Sequence, residues 1–412
     1  MATINIEELK QSIIRKIGAF QDRYFKAYGQ VVIRVDRKTH LMSRDSLLLS
    51  HLRAEDFKLY DSSTGEFGKI LKARPDVKAI VFACTETSAL YSRDHDVLIP
   101  SLDDLAEIVG PDVKVVDSAD AKTLLAALKD RRGCLIRGIG MFAACSSLDE
   151  AIAAIRILEK STEAEVYGEK LGGVRHLPEE DRQALAARYQ HRSEDTNKND
   201  ASSLIPFPPE ELALRNQLIE TARRLVSRDL VQGSWGNLSV RLNQHCILIT
   251  PSAMPYNQMH AEDIVKLDLQ FPNITRQRKP SSEYKMHMAI YMEKPECRAI
   301  IHTHSNGLSV FAAAHAGFRL PNSNVQEVIG DMTVTDRFFP GSEEMSASVL
   351  QNLKDSLGCI MAGHGSVFIG DSLESALVLA DMMEEKACSL LGFHTPLVTE
   401  EEEEKEEENE QE

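Results

Sequence analysis

No apolar run among the 412 residues is long enough to cross a bilayer, which takes about 20 consecutive apolar residues. The opening residues show no succession of basic, apolar and small residues such as a secretory signal has, so the expectation is a cytoplasmic protein without a membrane partner. No C-x-x-C spacing occurs, and the seven cysteines (Cys84, Cys134, Cys145, Cys246, Cys297, Cys359 and Cys388) are scattered and odd in number. This argues against disulfides or a cysteine zinc site and for reduced thiols used as core filler. Basic excess is missing too: the formal net charge is −16, and nucleic-acid binding would want a basic face. Residues 400–412 carry −9 of that total, with ten glutamates against one lysine, so the rest of the chain is only mildly acidic. Such a like-charge run repels itself, and 397–412 reads as a disordered, solubilising tail.

What is present, at 43% hydrophobic residues, has room for two domains. The stretch from Cys297 to Ser305 carries an apolar run, Ala299, Ile300 and Ile301, leading into His302 and His304. It reads as a buried strand, on which alternate residues share a face, so both imidazoles point the same way and can grip one metal ion. His364 follows another short apolar strand, Cys359 to Met361, and lies between two glycines that let the backbone crowd close. Three histidines with a fourth position open describe a catalytic rather than a structural zinc site. A His-x-His pair alone is weak evidence; Glu283, in a polar loop before an expected helix from Tyr284 to Met292, adds a carboxylate to the set.

The chain also repeats itself. Residues 29–35 and 54–61 match 236–242 and 261–268 in order and spacing; 74–85 lies over 294–305, and 133–140 over 358–365. Phe82, Cys84 and Ile139 stand where His302, His304 and His364 stand, and Ser63 or nothing lies opposite Glu283. The first copy thus reads as chemically inert, and the ligands differ as a set within strands that agree. A polar, then proline-rich stretch at 191–209 is the best linker. The expected organisation is a degenerate domain at 1–190, the linker at 191–209, a catalytic domain at 210–396 and the tail. Helices are expected over 4–28, from 148 to about 167, from 178, over 210–229 and from a Ser372 cap to 391.

Five motifs of the second copy are Gly-Asn-Leu-Ser at 236–239, Thr-Pro-Ser at 250–252, Ser-Ser-Glu at 281–283, His-Thr-His at 302–304 and His-Gly at 364–365. Together they resemble the class II aldolase and adducin family; the first copy resembles it more faintly. The resemblance implies an α/β fold, three-layer α/β/α with a central, mainly antiparallel sheet, present twice. It implies one Zn2+ per chain on His302, His304 and His364, with Glu283 as the acid/base residue. Asn237, Thr250, Ser252, Ser281 and Ser282 would line a phosphate pocket. The implied reaction is aldol cleavage of a phosphorylated ketose through a metal-stabilised enediolate, with a small sugar phosphate as partner and a homo-oligomer, dimer or tetramer, as the assembly. In a dimer the inert copy would wall a neighbouring chain's live site.

Two departures stand out. Ala253 replaces the glycine usual after Thr-Pro-Ser, and Val325 falls near the tyrosine that donates a proton in the aldolases, with Glu327 and Asp331 as nearby acids. His260, His287 and His315 have no readable partner spacing. Two other readings stay open: epimerisation or dehydration of a sugar phosphate at the same site, and a non-catalytic, adducin-like assembly protein. Glu283, rather than an aspartate, favours aldolase or dehydratase over epimerase, and the intact ligand set speaks against the assembly protein.

Overall fold

The computed structural model of the chain describes residues 5–18, 27–192, 206–272, 278–319 and 329–393. Nine strands make the first sheet: β1 (Tyr28–Arg34), β2 (Thr39–Ser43), β3 (Leu47–Leu48), β4 (Phe57–Asp61), β5 (Ala79–Cys84), β6 (Val97–Leu98), β7 (Val113–Val116), β8 (Gly133–Ile136) and β9 (Gly140–Cys145). The second contains β10 (Asn237–Arg241), β11 (Cys246–Ile249), β12 (Val265–Asp268), β13 (Ala299–Thr303), β14 (Thr333–Val334), β15 (Gly358–Met361) and β16 (Gly365–Gly370). The path β4-β2-β1-β5-β9-β8-β7 in one and β12-β11-β10-β13-β16-β15-β14 in the other is the same path. Each has one parallel pair, β7 with β8 and β14 with β15, at the same place, in an otherwise antiparallel sheet.

Registers agree as well. Gln30 lies opposite Phe82 across β1 and β5, as Asn237 lies opposite His302 across β10 and β13. Arg34 and Arg241 occupy matching strand positions and do one job: Arg34 donates to the Val77 and Arg74 carbonyls, Arg241 to those of Cys297 and Lys294. Each ties its strand to the end of the helix that precedes the central strand, satisfying carbonyls that a helix end leaves open.

The described helices are α1 (Ile6–Ile17), α2 (Gly65–Ala73), α3 (Glu86–Asp94), α4 (Asp103–Ile108), α5 (Ala121–Ala127), α6 (Leu148–Gly168), α7 (Glu179–Arg192), α8 (Pro209–Ser227), α9 (Tyr284–Glu293), α10 (Asn306–Ala314), α11 (Glu343–Asn352) and α12 (Leu373–Leu391). They cover both faces of the sheets. Ala299 and Ile301 of β13 pack with α8, α10 and α12, whereas Ile300, one residue out of phase, packs with α9 and α11. The same alternation in β5 sends Val81 toward α6 and Ile80 toward α2 and α5. This is the three-layer α/β/α architecture, twice. The first helix is shorter than the expected 4–28: Asn5 caps it through the Glu7 and Glu8 N–H groups, Gly18 ends it, and 28 already belongs to β1. Most of the expected linker, the acidic tail, Val325 and Glu327 lie outside the described residues.

The halves share apolar core. Helix α6 is buried along nearly its whole length: Ile155 and Leu158 belong to the first-half core, while Ala164 and Tyr167 pack with Leu308 and Phe311 of α10. Trp235, the sole tryptophan, comes from the second half yet packs in the first-half core, stacked 6.0 Å from Tyr189, with its Nε1–H donated to Glu107. Among the described residues no helix is long and apolar enough to cross a membrane.

Because Trp235 is 7% exposed and sits where the halves meet, its fluorescence should be blue-shifted and should red-shift in the same urea transition that removes far-ultraviolet circular dichroism. Two separated midpoints would show that the halves unfold independently.

Candidate active site

Three short segments converge at the end of the second sheet. Strand β13 delivers His302 and, just past its end, His304; the turn between β15 and β16 delivers His364. Two glycines shape that turn. Gly363 has φ +68°, a left-handed conformation open to glycine at little cost, and at Gly365 a Cβ would stand 2.3 Å from the Thr303 carbonyl oxygen. Glu283 caps the start of α9. All four side chains are buried.

Proton accounting tests whether this cluster suits a cation. His302 Nδ1 lies 2.9 Å from the Ser366 carbonyl oxygen, His304 Nδ1 3.3 Å from Asp104 Oδ2 and His364 Nδ1 3.0 Å from Asp103 Oδ2. Carbonyl and carboxylate oxygens accept, so each Nδ1 carries the hydrogen; His302 and His304 then turn an Nε2 lone pair inward, whereas His364 Nε2 faces the Glu283 carboxylate and donates to it. The Nε2 atoms of His302 and His304 are 2.9 Å apart, and the three candidate ligand atoms all lie within 4.8 Å of one another. Lone pairs so close repel unless a cation lies between them, and tetrahedral zinc would space such nitrogens by about 3.3 Å. Asp103, Asp104 and Glu283 are buried carboxylates; Arg337 pairs with Asp103, Lys160 with Asp104 and His364 with Glu283, so a metal that took the place of the His364 proton would find the charge already arranged for it. The residues fit a divalent metal.

Burial holds His304 neutral, its pKa down to about 3, and lowers that of His302. Burial also opposes charge on His364, but Glu283 and Asp103 outweigh it and carry this imidazole up to about 10. Glu283 Oε1 faces His364 Nε2 at 2.8 Å, and Oε2 lies 3.2 Å from His302 Nε2. Although burial disfavours its charge, the facing imidazoles and the Asn237 amide keep the Glu283 carboxyl well below its ordinary value.

Behind Glu283 runs a buried relay absent from the sequence expectations. Asn237 donates from Nδ2 to Glu283 Oε2 at 2.7 Å, so its Oδ1 accepts from His287 Nε2 at 2.5 Å. His287 Nδ1 then accepts from Ser239 Oγ at 2.7 Å, which itself accepts from the Tyr291 hydroxyl at 3.0 Å. Every donor points toward the carboxylate. His287, assigned no role from its spacing, thus orients Asn237, and burial keeps it neutral with a pKa of about 3.

A cavity of about 460 Å³ opens onto His304, His364 and Glu283. Ser252, Ser281, Ser282 and Asn237 line it as expected, joined by Lys279 and, from the first half, Glu107, Arg188 and Tyr189. Thr250 does not. It is 1% exposed, and its hydroxyl accepts the Leu238 N–H, so it braces the wall from behind. Asn237, though at the wall, has its amide committed to Glu283 and His287. Ala253 takes φ +57°, a left-handed conformation that costs a non-glycine residue roughly 1 kcal/mol. Asp331 is in an ion pair with Arg319 at 2.9 Å and is not among the cavity residues. The first half was expected at a neighbouring chain's site; it walls the site of its own chain.

A buried histidine triad with an adjacent carboxylate, on a three-layer α/β scaffold, is a set that can hold a divalent metal beside an acid/base group. The sequence model of the class II aldolase and adducin N-terminal domain matches residues 25–166 and again 216–391, and the chain belongs to that family. It is similar to the L-fuculose phosphate aldolase of Methanococcus maripaludis, 33% identical over 171 residues that make up 42% of this chain and 92% of that protein. To the 5-methylthioribulose-1-phosphate/5-deoxyribulose-1-phosphate aldolase of Rhodospirillum rubrum it is 33% identical over 184 residues, 44% of this chain and 81% of that one. The 3-oxo-tetronate 4-phosphate decarboxylase of Haemophilus influenzae is 29% identical over 184 residues, 43% and 86% of the two chains. The chain is a class II aldolase-type lyase.

Metal binding through His364 Nε2 must displace the proton that a pKa of about 10 keeps there near neutral pH, whereas His302 and His304 have none to lose. Zinc titrations by calorimetry in buffers of different ionisation enthalpy should therefore show close to one proton released per chain. Heats independent of the buffer would contradict this assignment.

Proposed function

We propose that this chain cleaves a phosphorylated ketose by a zinc-dependent aldol reaction. Residues 210–396 act as the catalytic unit, 1–190 as its degenerate partner, 191–209 as the link between them and 397–412 as a tail. The observation that carries the reading is the convergence of three histidine Nε2 atoms and an ionised Glu283 at the end of a cavity lined by hydroxyls and cations. Zinc held by His302, His304 and His364 would supply Lewis acidity toward the carbonyl and neighbouring hydroxyl oxygens of the ketose. The Asn237 amide holds Glu283 Oε2 and fixes the carboxylate plane; Oε1, which accepts from His364 Nε2, would be released to take up and return the substrate proton once that nitrogen binds the metal. Ser252, Ser281, Ser282 and Lys279 offer donors for a phosphate, and Arg188 brings a further cation from the first half.

The decarboxylase among the relatives favours one second reading, in which the same residues break the carbon–carbon bond of a 3-oxo acid phosphate. Both reactions leave an electron pair beside a carbonyl, and the same Lewis acid would stabilise either.

The purified chain should contain about one zinc by elemental mass spectrometry, lost in the His302→Ala, His304→Ala double variant. Supplied with phosphorylated ketoses, it should release dihydroxyacetone phosphate and an aldehyde; carbon dioxide from a 3-oxo acid phosphate would instead select the second reading. Glu283→Gln should keep its metal and lower kcat by about 10²–10⁴-fold. Full activity in that variant would remove Glu283 from the proton step, and wild-type protein that takes up no zinc would sink the reading.

A further inference from the structure

Among the described residues all three histidines of the cluster come from the second half, yet two consecutive residues of the first half reach it. Asp103 Oδ2 accepts from His364 Nδ1 at 3.0 Å and Asp104 Oδ2 from His304 Nδ1 at 3.3 Å. Both aspartates are 1% exposed. They open α4, whose every residue is buried, and the backbone fixes their approach: the Asp103 N–H donates to the Gly363 carbonyl at 2.9 Å, one residue before His364. Each has a cation of its own. Arg337 Nη2 lies 2.6 Å from Asp103 Oδ1, and Lys160, with no side-chain exposure, holds Asp104 Oδ2 while donating to the His304 carbonyl at 3.2 Å. His302 is served from within its own half, by the Ser366 carbonyl.

We propose that Asp103 and Asp104 are positioning residues for the metal, so that the degenerate half supplies the outer hydrogen-bond shell of the second half's site. The inference rests on the metal-site reading above. An imidazole that donates its far N–H to a carboxylate is held in one tautomer and one orientation and is a stronger ligand, and loss of such a partner typically lowers metal affinity by about 10–100-fold. On this view neither half makes a high-affinity site alone.

The test is zinc affinity of the full chain, by competition with a chromophoric chelator, with thermal unfolding of the metal-free protein alongside. Asp103→Asn keeps an acceptor oxygen and nearly the same shape, and Arg337 keeps Asp181 at 3.3 Å, so its effect reports charge rather than packing. For Asp104, paired change with Lys160→Met avoids stranding a buried lysine: Asp104→Asn, Lys160→Met. Asp112→Asn, whose carboxylate pairs with Arg131 in the first half, is the control. Each of the first two variants should weaken zinc binding about 10–100-fold, with the metal-free melting temperature of Asp103→Asn close to wild type and the control binding like wild type. Wild-type affinity in both variants would overturn the proposal and leave the metal site standing. A wild-type chain that binds no zinc would overturn the metal site, and this proposal with it.

Discussion

Two neutral imidazoles cannot rest with their lone pairs 2.9 Å apart unless something positive lies between them. His302 and His304 are held in that relation, and the constraint comes from their far sides, where a carbonyl and a carboxylate each demand an N–H. Much of the surrounding structure serves it. The tight start of β16 requires Gly365, the left-handed turn at Gly363 aims His364 at the same point, and the Tyr291–Ser239–His287–Asn237 relay delivers its last hydrogen bond to Glu283. A cation between the two Nε2 atoms would relieve that repulsion, which is the physical case for a metal at this cluster.

The two halves show how little of a scaffold such a site needs to alter. Strand order and the central register are shared, so Gln30 and Phe82 stand in the sheet as Asn237 and His302 do. Glu159 and Glu384 are matched as well: Glu384 accepts from Ser305 and from the first N–H groups of α10, while Glu159 accepts from Thr85 and Thr87 at the start of α3. These residues build the fold, and both copies keep them. Phe82, Cys84 and Ile139 stand in place of His302, His304 and His364, and the first sheet keeps its order and register without the imidazoles, Ile139 being exposed in the β8–β9 turn.

Much of this was legible in the sequence. Period-two alternation placed His302 and His304 on one face, and the internal repeat gave the matched registers, since each rests on local pattern. The fate of Thr250 was not legible: a hydroxyl in a Thr-Pro-Ser turn can face a cavity or its neighbour's N–H, and here Leu238 takes it. Asn237 and His287 escaped for a similar reason, their roles being set by which partner each amide or ring nitrogen finds across strands. Asp103 and Asp104 were the hardest. Asp104 lies 200 residues from His304 and Asp103 lies 261 from His364, both in the copy read as inert. Their one local signal, two adjacent acids among the apolar residues Leu102, Leu105, Ala106, Ile108 and Val109, does not say against what the carboxylates are buried.

Lys160 shows why the contact between the halves is more than packing. Taking an ammonium and a carboxylate out of water costs several kcal/mol per ion, and a pair of apolar side chains of similar volume would hold two surfaces together as well or better. Lys160 and Asp104 nonetheless have no side-chain exposure at all. In the repeat, Lys160 corresponds to Glu385, one residue past the shared glutamates, and Glu385 is exposed on α12. The same helical position thus faces water in one copy and carries a buried cation in the other, where it touches both Asp104 and the His304 carbonyl. Stability of the interface does not require that charge. Orientation of the His304 imidazole does, because a carboxylate kept ionised in the interior by a neighbouring cation is a strong acceptor for the His304 N–H.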